Sequence, residues 1–135
     1  MSKLFEPFTI NGLSIKNRFV RSATVDNLGE DLKVSQRQLD FYRELTRGEI
    51  GLIISSGLFP SLDGWAAPGQ LGIHDDSMIP ELAKLADVVH RNGGKIAAQL
   101  MHAGWFGNPE ISGCEVVGPS AMVNPANNLK VRALS

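Results

Sequence analysis

The chain has 135 residues, the length of one ordinary domain, with 43% hydrophobic and 20% charged residues and a formal net charge of -1. That balance describes a globular chain with a core of its own, and the mixed signs without a basic stripe exclude nucleic acid as a natural partner. The single cysteine, Cys114, excludes an intrachain disulfide and any cysteine-built zinc or iron–sulfur centre within these residues, as a reducing cytoplasm would suit.

The N-terminus, Met-Ser-Lys-Leu-Phe-Glu-Pro, carries no apolar run of signal-peptide length, and no later stretch approaches the ~20 apolar residues of a membrane span. The chain is therefore expected to be soluble and cytoplasmic, with no membrane partner. Phe8-Thr9-Ile10, Asn11-Gly12 and Leu13-Ser14-Ile15 form a β-hairpin signal, because Asn-Gly accepts the positive φ values of a two-residue type I′ turn. Residues 18–25, Arg-Phe-Val-Arg-Ser-Ala-Thr-Val, read as a first, largely buried strand in which Arg21 needs an acidic partner or an exit to water. Ser35 and Gln38 have the spacing of a capping box, and Leu39, Tyr42 and Leu45 then share one helical face until Gly48. Ile50 to Ser56 is a near-continuous apolar run, the pattern of a strand covered on both faces.

Asp75, Asp76 and Ser77 open a second helix, with Pro80 in its first turn, Ile79, Leu82, Ala86 and Val89 as its apolar stripe, and Gly93-Gly94 as its stop. In the third strand, period-two alternation sends Ile96, Ala98 and Leu100 toward the helices and Ala97 and Gln99 to the opposite face. Strand, helix, strand, helix, strand with short helix-to-strand links predicts right-handed crossovers and a parallel sheet. The strand-to-helix connections, 26–34, 58–74 and everything after 101, are long and rich in glycine and aromatic residues. That asymmetry is expected of a (β/α) barrel, whose active face is built by those loops. The alternative is a doubly wound sheet, although the Gly-x-Gly-x-x-Gly dinucleotide fingerprint is absent. Residues 105–135 contain no convincing helix, and a loop on the order of 30 residues without structure is uncommon in a compact domain. The expected organisation is therefore an N-terminal hairpin (1–17), three strands and two helices (18–104), and a long active-face loop (105–135). Three strands against the eight of a barrel of ~250 residues mark the chain as an N-terminal portion, and Ser135 is placed to cap a helix that follows.

Several stretches, in this order, resemble the Old Yellow Enzyme family of flavin-dependent NAD(P)H oxidoreductases and ene-reductases. They are Leu4-Phe5-Glu6-Pro7 with the hairpin and Lys16-Asn17-Arg18, then Gly51-Leu52-Ile53-Ile54 and Pro68-Gly69-Gln70-Leu71-Gly72. Gly94-Lys95-Ile96 through Gln99-Leu100 and His102-Ala103-Gly104 complete the set. The resemblance spans the whole chain and implies a (β/α)8 TIM barrel with the hairpin closing its lower end. It implies FMN as cofactor, NADH or NADPH as reductant, and hydride transfer from the flavin to the β-carbon of an enone or enoyl thioester. It further places Ser22, Ala23, Thr24 and Val25, Gly57 and Gln99 against FMN. A primary amide offers the acceptor and donors that complement the carbonyl and N–H edge of a flavin, and glycine permits close backbone approach to a planar ring. Val25 stands where many relatives carry Thr or Cys, and Trp105 where many carry Arg. The carbonyl-gripping His/His or His/Asn pair, the proton-donating Tyr and the phosphate-holding Arg residues of the family come from later strands. No catalytic residue is therefore expected in this chain, and an iron–sulfur cluster or second flavin would need residues beyond it.

Other readings of these residues stay open. Gln99 is alternatively a barrel-interior amide satisfied by its neighbours. His102 and Trp105 are substrate-side candidates, yet a loop histidine bonded to backbone is the commoner case. Trp65, Trp105 and Phe106 form either a substrate lid or loop packing, and Cys114 reads as an incidental thiol. For the chain as a whole, the alternatives are an inactive truncated product or one part of a barrel completed by a second chain, and the expected protein partners are a homo-oligomer or that complementing chain, since open parallel edges invite pairing.

Overall fold

The computed structural model describes residues 2–134; Ser135 and its capping role lie outside them. The chain begins with the antiparallel hairpin of β1 (Phe8–Ile10) and β2 (Leu13–Ile15). Asn11 and Gly12 turn at φ 44° and 89°, the two positive values that the Asn-Gly pair predicts. Asn17 then ties the lower end of the sheet together. Its side chain donates to the Glu49 carbonyl and accepts from Phe19 N–H, and its carbonyl lies where a Cβ on Gly51 would come within 2.6 Å, so residue 51 must be glycine.

A parallel sheet follows, in the order β3 (Val20–Arg21), β4 (Leu52–Leu58) and β5 (Ile96–Leu100). Helix α1 (Gln36–Arg47) joins β3 to β4, and helix α2 (Ile79–Arg91) joins β4 to β5. The helices pack on each other, so both crossovers lie on one face of the sheet. A doubly wound sheet distributes its helices over both faces, and the singly wound arrangement is the barrel-type alternative. The core between helices and sheet is Tyr42, Ile53, Leu58, Leu71, Leu85 and Val89 with Val34, Ile96 and Leu82 packed against it. Among the described residues no helix is long and apolar enough to cross a membrane.

Ser35 caps α1 by accepting from Gln38 N–H at 3.1 Å, as its spacing predicts, but only half of the capping box forms. The Gln38 amide turns instead to Asp26 at 3.2 Å, and Gln38 and Thr46 are buried beside Tyr42. A 3-10 turn, Asp76–Met78, precedes α2, with Asp75 accepting from Ser77 N–H at 2.8 Å.

Several expectations are corrected. The first strand is only Val20–Arg21 rather than 18–25, and it is not buried: Val20 is 46% exposed. Only these two residues find ladder partners, Leu52 and Ile53, because the chain beyond Arg21 turns toward side-chain partners. Arg21 has neither an acidic partner nor a purely solvent path. Its guanidinium donates to the carbonyls of Ile54 (3.3 Å) and Thr24 (3.4 Å) and lies over the rings of Phe41 and Tyr42. The second strand is displaced to 52–58 from 50–56. On α2, Ile79 is exposed and Leu85 takes its place in the stripe. Leu100 is also exposed, since no element among the described residues covers that end of β5, whereas Ile96 and Ala98 face Leu82, Leu85 and Ala86 of α2.

The final segment is structured. It contains a 3-10 turn (Gly104–Phe106), a short helix α3 (Pro109–Ser112) and a three-stranded sheet. Its strands are β6 (Val117–Gly118), β7 (Met122–Val123) and β8 (Lys130–Ala133) in the order β6-β8-β7. Fully buried Asn124 organises it. Its amide donates to the Trp105 carbonyl at 2.9 Å and accepts from Ala126 N–H, closing the turn between β7 and β8.

Candidate functional site

The functional candidates gather at the C-terminal ends of the three parallel strands. Their alignment depends on a bulge. Ile54 pairs with Ala97, but the next ladder pair is Gly57 with Gln99, so β4 advances three residues while β5 advances two. One extra residue in a strand reverses which face the following side chains occupy. Without it Gly57 would share the helix-facing side with Ile53. With it, Gly57 comes beside Gln99 on the face away from the helices, and Leu58 returns to the core at 3% exposure.

The bulge is held by side chains. The Ser55 hydroxyl accepts from Gln99 N–H at 3.1 Å and donates to the Ser56 carbonyl at 2.8 Å. Ser56 N–H donates to the Tyr42 hydroxyl at 3.0 Å, and the Ser56 hydroxyl accepts from Asp26 N–H at 3.2 Å. On the other side of Gly57, its carbonyl accepts from the buried Gln70 amide at 3.0 Å. A Cβ at Gly57 would stand 2.7 Å from the Met101 Cβ, so the immediate reason for glycine is the Met101 side chain folded over it.

Residues 22–25 run from the end of β3 along this edge. Val25 is 56% exposed, Ser22 and Thr24 are exposed, and the Thr24 hydroxyl donates to the Ser22 carbonyl at 3.1 Å. Among the described residues nothing accepts from the N–H groups of Ala23, Thr24 and Val25, and nothing pairs with the Gln99 carboxamide. The strand ends on either side of β4 therefore offer three backbone donors after β3 and, on β5, a primary amide with donors and an acceptor, groups of the kind that the N–H and carbonyl edge of a planar heterocycle requires.

His102 and Trp105 lie just beyond β5, in the loop that packs against 58–74. His102 Nδ1 accepts from Gly104 N–H at 2.9 Å, which leaves the proton on Nε2, 3.4 Å from Asp63 Oδ1. Its ring covers Gly64, where a Cβ would meet it at 2.7 Å. A hydrogen bond from Ser61, then His102, holds the Asp63 carboxyl below its ordinary range. His102 is thus a clasp between two loops. Trp105 packs edge-on against Phe106, while Trp65 stacks on Phe59 with its N–H bonded to the Ala67 carbonyl, which is loop packing. The Cys114 thiol donates to the Ser112 carbonyl.

Alternation pointed to the face that Gln99 occupies and the family resemblance to Gly57, while neither pointed to Asp26, Ser55 and Ser56, which hold the bulge between them. Only the Ser35–Gln38 spacing pointed toward that layer.

The chain is similar to known proteins over almost its whole length. The chain is 38% identical over 135 residues to the probable NADH-dependent flavin oxidoreductase YqiG of Bacillus subtilis (strain 168), covering 98% of this chain and 36% of that protein. Its fold superposes on a 2-naphthoyl-CoA reductase with a TM-score of 0.90 at 30% identity, over 98% of this chain and 22% of that one. An Old Yellow Enzyme homologue from Zymomonas mobilis gives a TM-score of 0.86 at 28% identity, over 99% of this chain and 40% of that one. The chain spans between 15% and 36% of the length of the curated relatives it matches. Residues 3–134 match the NADH:flavin oxidoreductase / NADH oxidase family, and the chain belongs to it.

Proposed function

We propose that the complete protein is an FMN-dependent NAD(P)H oxidoreductase that reduces activated C=C bonds, with this chain supplying the first strands of an eight-stranded barrel and one side of the flavin site. The observation that carries this reading is the register of Gly57 beside Gln99, next to the uncommitted N–H groups of Ala23, Thr24 and Val25. The Gln99 carboxamide takes the pyrimidine edge of the ring, and residues 22–25 approach it through their backbone. Bound FMN would supply the hydride chemistry, taking a hydride from NADH or NADPH and passing it to the β-carbon while a proton is added at the α-carbon. The protein residues fix the ring's position and exclude wrong orientations. Aliphatic Val25 brings no hydroxyl or thiol to the flavin, and Trp105 brings no charge to the substrate side.

The substrate class we favour is an enone or an enoyl thioester. A 2-naphthoyl-CoA reductase among the structural neighbours supports the thioester. Anaerobic NADH and NADPH oxidation by the purified protein, with 2-cyclohexenone and crotonyl-CoA as acceptors, tests the reading. Acceptor-dependent oxidation with the saturated product is the expected result. A protein that oxidises neither nicotinamide in the presence of FMN overturns it.

A second reading rests on the two open edges of the three-stranded sheet, at β3 and β5. The 135 residues would then act as one part of a barrel closed by a second chain or by a copy of itself, and alone would be catalytically inert.

A further inference from the structure

We propose that Tyr42 and Asp26 are positioning residues of the flavin site, holding the β4 bulge and residues 22–25 in the one mutual register that sets Gly57 beside Gln99. The proposal rests on the FMN reading above and names the device that builds that site.

A bulge frees backbone groups from the ladder, and buried ones need other partners. Here the freed Ser56 N–H is buried and donates to the Tyr42 hydroxyl at 3.0 Å. That hydroxyl has one proton, and it goes to Asp26 Oδ2 at 3.1 Å. Asp26 Oδ1 accepts from Leu28 N–H (3.1 Å) and from the Gln38 amide (3.2 Å), while Asp26 N–H returns to the Ser56 hydroxyl (3.2 Å). The circuit is closed between Ser56, Tyr42 and Asp26, with every donor direction fixed. Tyr42 is fully buried and Ser56 6% exposed, so water does not replace the bond between them, whereas Asp26 is half-buried.

The placement of the circuit is what makes it more than a core network. Asp26 is the residue after Val25, and Ser56 is the residue before Gly57. Arg21 reinforces the same join by donating to the carbonyls of Thr24 and Ile54 while lying over the Tyr42 ring. Two of the three strand ends that meet the cofactor are thus coupled through one phenol and one carboxylate, neither of which needs to touch the ring.

The test is FMN affinity, read by flavin fluorescence and visible absorbance, for the wild-type protein, Tyr42→Phe, Asp26→Asn and the double variant. Amide hydrogen exchange of the FMN-free forms is measured alongside. Each single variant should weaken FMN binding roughly tenfold, the loss expected for a buried hydrogen bond to a charged group. The double variant should bind no more weakly than the poorer single one, because both break one circuit. Exchange should quicken at Asp26, Leu28 and Ser56, whose N–H groups the circuit holds, and remain unchanged in α2. Ser56→Ala, which removes only the hydroxyl that accepts from Asp26 N–H, gives the same pattern more mildly if a Tyr42 or Asp26 variant fails to fold. FMN affinities within twofold of wild type, together with a lowered melting temperature, overturn the proposal and leave the circuit as fold support. Failure of the wild type itself to bind FMN is a different result, which overturns the cofactor reading and this proposal with it.

Discussion

Gln99 is the residue on which the proposed site turns, and its direction was legible because alternation along Ile96–Leu100 needs no tertiary information. Replacing it with Leu removes the amide while keeping similar bulk. The expected outcome is FMN affinity lowered about tenfold with an unchanged melting temperature, since the carboxamide has no partner among the described residues to lose. Flavin titration against a thermal melt checks both halves. Tyr42 was legible as an apolar-face residue, but not as the owner of a committed hydroxyl, because its partners lie 14 and 16 residues away along the chain. Burial first, and the Asp26 carboxylate beside it, push its phenol from 10.0 up to about 12, although the Ser56 N–H bond works the other way. The folded state therefore holds that proton more tightly than the unfolded chain does. Stability is full below pH 10 and falls as the pH rises from 10 toward 12. Tyr42 is the sole tyrosine, so phenolate absorbance in the 135-residue chain reports it directly. A midpoint near 10 would contradict the buried circuit.

At the scale of elements, the helices were the most legible. Ser35 bounds α1 as its type predicts, because an N-cap is local chemistry, whereas Gly48 ends the helix at φ -70° and the left-handed turn falls on Glu49 at φ 67°. Ser35→Ala should cost about 1 kcal/mol of stability in urea unfolding, from the lost cap. The strands were legible as runs but not in register. Nothing in Ile50–Ser56 announces a bulge, because its cause is Ser55, Ser56 and distant Tyr42 and Asp26 rather than local propensity. Gly57→Ala tests the close packing that the bulge creates. The new methyl group meets the Met101 Cβ at 2.7 Å, and the expected destabilisation is roughly 1–3 kcal/mol, recovered in part by adding Met101→Gly, which removes that atom. Equal stability of Gly57→Ala and wild type would contradict the packing. The first strand's true length and the small sheet of the last segment were illegible for a similar reason. Partners such as Ser56 for Asp26 and Trp105 for Asn124 lie 30 and 19 residues away, and two-residue strands carry no period.

For the whole molecule, the parallel sheet was readable from the alternation of elements and its barrel-type winding from the long strand-to-helix connections, and the family follows from the ordered motifs. The sheet edges at β3 and β5 are the unfinished feature, with Val20 46% and Leu100 64% exposed beside them. If those edges pair, sedimentation of the 135-residue chain shows species heavier than a monomer, and a clean monomer at working concentration argues against pairing. The central claim is that this chain carries the ring-holding side of an FMN site. Its most direct test is the visible absorption spectrum of the purified protein, before and after addition of FMN, with the bound flavin identified after denaturation. A yellow protein that releases FMN, and loses its colour far more readily as Gln99→Leu, is the predicted result. A protein that is colourless and remains so with FMN added would contradict it.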